Sequence, residues 1–191
     1  MSASYLKELS DVLARVEVTD GEGRHLALDE GLERAVMILE TQTGMGRKVM
    51  FIGNGASAAI GSYQALYYWK NGGMRAVTFN DLASLTAVSN DLSYAVVFAK
   101  PIEMFADPGD VLMAISSSGR SENILRGADA ARRRDCRVLT FSGFRPDNPL
   151  RAHGELNFYV PSMSYGHVEV THLALSHLFV DTIMEHRSAR S

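Results

Sequence analysis

The sequence predicts a three-layer α/β/α sandwich on a five-stranded parallel sheet, preceded by N-terminal helices. Three observations carry this. Five apolar runs of four or five residues are each too short for a buried helix. Helix-periodic stretches separate them, and strand alternating with helix means right-handed crossovers in a sheet covered on both faces. Two small-residue loops, rich in Gly and Ser, stand where a run passes into a helix.

Leu6, Leu9, Val12, Leu13 and Val16 recur at helical spacing and predict a first amphipathic helix. Leu28, Leu32, Ala35, Val36, Ile38 and Leu39 predict a second, ended by the Gly44–Gly46 breaker. From Lys48 the period changes, and Val49–Ile52, Ala76–Phe79, Val111–Ile115, Val138–Phe141 and Leu156–Val160 read as strands. Helices are expected at about 57–70, 82–89, 102–105 and 121–134, with a last one at about 167–186. Pro101, Pro108 and Arg145-Pro146-Asp147-Asn148-Pro149 mark turns, so 1–191 is read as one domain, with helices over 1–46 and the α/β core over 47–187.

At 191 residues, 46% of them hydrophobic, the chain can bury a core of its own. A net charge of −3 supplies no basic field for a polyanion, so nucleic acid is not an expected partner. One cysteine, Cys136, forbids an intrachain disulfide and suits a reducing compartment. Charges run through the first sixteen residues and no apolar run spans a bilayer, so a cytoplasmic protein without membrane contact is expected.

Parallel sheets bind ligands at the carboxyl ends of their strands. The first strand ends in Gly53-Asn54-Gly55-Ala56-Ser57. Its glycines permit a tight turn, and Asn54, Ser57 and the free amides of the helix start can donate. The third glycine of a dinucleotide fingerprint and the lysine of a Walker loop are both absent, so a plain turn and a ligand loop stand side by side. The third strand ends in Ser116-Ser117-Ser118-Gly119-Arg120-Ser121. Capping needs one serine; four hydroxyls around a glycine make a neutral nest for an anion.

Together with Asn90-Asp91-Leu92-Ser93-Tyr94, these loops, in this order over about residues 45 to 185, resemble the sugar-isomerase (SIS) domain family, in its sedoheptulose 7-phosphate isomerase (phosphoheptose isomerase) branch. The resemblance implies that Ser57, Ser116, Ser117, Ser118 and Ser121 hold the phosphate of a sugar phosphate, that Asn54, Asn90 and Asp91 line the sugar, and that the protein is a homotetramer with shared active sites. It also implies zinc, held by a histidine and a glutamate on the helix after the first loop and by a glutamine and a histidine on the last. Those positions carry Tyr63, Tyr67, Glu169 and His177, so only His177 is retained. Neutral tyrosine is a poor zinc ligand, and no cofactor is therefore expected.

Interconverting an aldose and a ketose needs a base beside the carbonyl and an acid at its oxygen. Glu169 and His177 stand eight residues apart, about 80° around a helix, and can share one broad face as base and acid without metal. His167 and His172 stay outside that pair. The expected activity is an aldose-ketose isomerase acting on a heptose phosphate through an enediol. The other reading is a non-catalytic SIS module, a sugar-phosphate sensor or a partner of a replication initiator. The missing zinc ligands favour the module; the intact serine loop favours the enzyme.

Overall fold

The computed structural model describes residues 2–190. Helix α1 (Ser2–Leu13) leads into a hairpin, β1 (Glu17–Asp20) and β2 (His25–Leu26), and then into α2 (Leu28–Gly44). There follow β3 (Val49–Gly53), α3 (Ala56–Lys70), β4 (Ala76–Thr78), α4 (Leu82–Asp91), α5 (Ala99–Phe105), β5 (Val111–Ser116), α6 (Glu122–Arg133), β6 (Arg137–Gly143), β7 (Leu156–Val160) and α7 (Tyr165–Arg190).

The sheet has seven strands in the order β2-β1-β7-β6-β5-β3-β4, which corrects the expected five. All five expected strands are present and mutually parallel. The other two form the hairpin, whose β1 runs antiparallel to β7. It is tied down by Asn157, whose Oδ1 accepts from Thr140 Oγ1 at 2.7 Å while its Nδ2 donates to the Thr19 and Asp20 carbonyls at 3.3 Å each.

Every residue of β3, β5 and β7 is buried, as a sheet covered on both faces requires. Phe141 and Phe158 stack 5.5 Å apart on one face and meet Phe179 of α7. Met50, Ile52 and Leu112 face the other way, onto α5 and α6. At the amino ends of β3 and β5, Lys48 pairs with Asp110 and, at 2.9 Å, with Asp107. Asp110, 1% exposed, also accepts the amides of Lys48 and Asp107 at 2.9 and 2.8 Å.

From β3 the chain moves outward to β4 and then returns to β5 on the opposite side of β3. The reversal opens a crevice at the carboxyl ends of β3 and β5, and both loops singled out in the sequence leave from it. Among the described residues no helix is long and apolar enough to cross a membrane.

Candidate active site

The β3 loop is shaped by what a side chain would hit. A Cβ on Gly53 would lie 2.6 Å from the Ser57 carbonyl group, so only glycine lets α3 start directly on the strand end. Asn54 is fixed by a reciprocal amide pair with Asn123 of α6, 2.9 Å in each direction. Its Oδ1 also accepts from the Tyr94 hydroxyl at 2.9 Å. The loop is therefore a structural turn whose Asn54 is held in place by two neighbouring elements.

In the β5 loop two hydroxyls serve the backbone. Ser116 Oγ accepts from the Gly119 amide at 3.1 Å, and Ser118 Oγ from the Arg120 amide at 3.3 Å. The other two are free of such duty. Ser117 Oγ is buried with no partner, and Ser121 stands at the N-cap of α6 without a side-chain capping bond. Gly119 has φ 60°, and a Cβ there would lie 2.0 Å from Asn148 Oδ1. Asn148 in turn donates to the Arg145 carbonyl at 2.9 Å, and the Leu150 amide donates to the Gly119 carbonyl at 3.1 Å, so the post-β6 turn braces the serine loop. Arg120 is drawn outward to Asp147 at 2.9 Å, which leaves the nest without a side-chain cation.

Between the loops lies a cavity of about 260 Å³, lined by Asn54, Ser57, the four loop serines, and Tyr165 and Glu169 from the start of α7. It is slightly below the usual range for drug-sized ligands, which suits a compact polar metabolite. A larger hollow, about 430 Å³, lies at the amino ends of β6 and β7, where Arg24 and Arg137 pair with Asp20 and Glu155.

The structure thus gathers Asn54, Ser57, Ser116, Ser117, Ser118, Ser121 and Glu169 around one space. His177 is not part of that lining. It sits two turns further along α7, about 12 Å by helical rise, with the rings of Tyr63 and Tyr67 against it at 5.5 and 4.5 Å. Asn90 and Asp91, at the exposed end of α4, bond to each other at 2.8 Å outside the cavity lining. His172 is fully buried, with Nε2 3.1 Å from the Ser142 carbonyl oxygen, and burial pushes its pKa down to about 4.

The residues at the zinc positions do not fit zinc. Tyr67 donates its hydroxyl to Asp181 Oδ1 at 2.9 Å, and Tyr63 and Tyr67 present rings to His177. Among the described residues no group of three or more His, Cys, Asp or Glu side chains is placed to hold a metal ion.

Asn123, Asn148 and Asp181 escaped the sequence reading. Asp181 was legible, since it lies four residues after His177 and faces the same way on a helix. Asn123 lies two residues beyond Ser121, where a polar first-turn residue passes for ordinary helix-start chemistry. Asn148, between two prolines, carries no mark of what it braces.

Comparison with known proteins places this architecture. Residues 4–143 match the SIS domain family. The phosphoheptose isomerase of Helicobacter hepaticus is 32% identical over 162 residues, 82% of each chain. That of Photorhabdus laumondii is 30% identical over 186 residues, 94% of this chain and 93% of its own. The solved phosphoheptose isomerase from Neisseria gonorrhoeae superposes with a TM-score of 0.83 at 27% identity, covering 96% of this chain and 97% of that one.

Proposed function

The chain belongs to the SIS domain family, in the branch that holds the phosphoheptose isomerases, and from that premise we propose that it interconverts an aldose and a ketose phosphate of the heptose class through an enediol. The observation that carries the proposal is the nest itself: four loop serines, among them Ser121 with no capping bond, line one small cavity together with the Glu169 carboxylate. The Ser121 hydroxyl, which has no capping bond to give up, can donate to a phosphate oxygen, a bond to a charged group worth about 1.5–3 kcal/mol. The starts of α3 and α6 add oriented amide dipoles in place of a cation.

With the phosphate so held, the reacting carbons C1 and C2 lie between the side chains of Glu169 and His177, which reach them from two turns of α7. In the ketose-to-aldose direction Glu169 takes a proton from C1 while His177 gives one to the C2 carbonyl oxygen, forming the enediol. Glu169 then returns its proton to C2 as the C1 hydroxyl proton passes back to His177, leaving an aldehyde. Both groups end as they began, and no metal enters the proposed sequence.

Asn90 and Asp91 serve the sugar across a subunit boundary in a homotetramer. The support is that α4 buries none of its residues and that Leu82, Leu92 and Tyr94 around it are exposed.

The deciding experiment is proton exchange at carbon, followed by NMR in heavy water with a panel of aldose and ketose phosphates including sedoheptulose 7-phosphate. Exchange that disappears in Glu169→Gln supports the isomerase. Binding without exchange across the panel replaces it with the sugar-phosphate sensor, a reading favoured by the tyrosines at two of the four zinc positions.

A further inference from the structure

Resting on the isomerase reading, we infer that Tyr63, Tyr67 and Asp181 form a metal-free clamp that positions His177, taking the place of a divalent cation at this end of the site. Tyr63 and Tyr67 lie one turn apart on α3 with rings 6.2 Å from each other, and His177 of α7 rests against both. The Tyr67 ring stands nearly perpendicular to the imidazole, at 74°. That ring is anchored from beyond, because its hydroxyl donates to Asp181 at 2.9 Å, one turn further along α7 from His177. Two helices are thereby joined by a bond that also fixes the ring flanking the histidine.

The same bond disqualifies Tyr67 as a metal ligand. Its hydrogen bond to Asp181, with burial second, holds the phenol above its ordinary pKa, and a protonated phenol with its hydrogen committed has no anionic oxygen to offer. Asp181 Oδ1 is the acceptor of that hydrogen. His177 and Asp181 are then the two groups left here that could ligate, one imidazole and one carboxylate, and two are too few for a zinc site of either structural or catalytic type. Tyr67 and Asp181 are thus positioning residues: they act through His177 and touch no reacting atom.

The test combines metal content with the behaviour of His177. Protein isolated from zinc-replete culture is assayed for zinc per chain by mass spectrometry, and its melting temperature is taken with zinc and with chelator; the clamp requires negligible zinc and an unmoved melt. Tyr67→Phe keeps the ring and removes the anchor. It is expected to lower kcat for exchange about ten- to a hundredfold at unchanged KM and to shift the His177 ring resonances. Asp181→Asn keeps an acceptor and restores most of the rate, whereas Asp181→Ala behaves like Tyr67→Phe. About one zinc per chain, a melt raised by zinc, or a Tyr67→Phe variant with both kcat and His177 resonances unchanged overturns the inference. If no sugar phosphate exchanges, the isomerase reading falls, while zinc content and the His177 resonances still decide the clamp.

Discussion

Single side chains in the serine loop divide between those that bond its backbone, Ser116 and Ser118, and Ser121, which does not and which the proposed function gives to the phosphate. Ser121 makes no capping bond in the free protein, so Ser121→Ala leaves the melting temperature unchanged. It removes one hydrogen bond to a charged group, worth about 1.5–3 kcal/mol, so the dissociation constant for a sugar phosphate rises about ten- to a hundredfold. Isothermal titration reads both the affinity and, through the stoichiometry, the intact fold. Gly119→Ala behaves differently, because the new methyl meets Asn148 Oδ1 at a positive φ. The loop must then leave its brace, and inorganic phosphate binding, followed by NMR, is expected to be lost outright.

At the scale of elements, the amino ends of β3 and β5 depend on one charge. Lys48→Met leaves Asp110 buried and unpaired, a loss of about 3–5 kcal/mol that urea denaturation would register as a lower midpoint. A smaller loss would mean that the two amides bonded to Asp110 suffice to hold its charge. The five parallel strands were legible because each is a run of aliphatic or aromatic residues, as in Val111-Leu112-Met113-Ala114-Ile115. The hairpin was not, because β1 offers one aliphatic residue, Val18, beside Thr19 and Asp20, which are buried through bonding. Asp20 accepts from the Glu22 and Arg24 amides at 2.9 and 3.0 Å, and Asn157 meets the carbonyls of Thr19 and Asp20. Burial by hydrogen bonding leaves no hydrophobic period to read. The grouping of the four serines with Ser57 around one cavity was legible, since four hydroxyls after one strand exceed what capping can use. That two of those hydroxyls bond the loop's own backbone required coordinates.

For the molecule as a whole, His172 couples stability to pH. Its folded pKa, about 4, lies below the ordinary 6.5, so the unfolded chain takes up the proton first. This contribution is complete above about pH 6.5 and is lost as the pH falls toward about 4, amounting to on the order of 3 kcal/mol. Guanidinium melts of wild type and His172→Gln at about pH 7 and about pH 4 isolate it: the variant is expected to lose less stability on acidification, and parallel losses would place the acid sensitivity elsewhere. The exposed Leu66 and Trp69 on α3 support the proposed tetramer. Light scattering is expected to give a four-chain mass that Trp69→Lys reduces; an unchanged mass would exclude this face from the contact.

The sheet ends in stubs. At one border stands β2 with two residues, at the other β4 with three. A row of unpaired amides and carbonyls invites a foreign strand to add itself only when it is long enough to give register, and neither border is. Strand addition at either border is therefore disfavoured, and the concentrated protein should resist the strand-to-strand growth that long open borders seed.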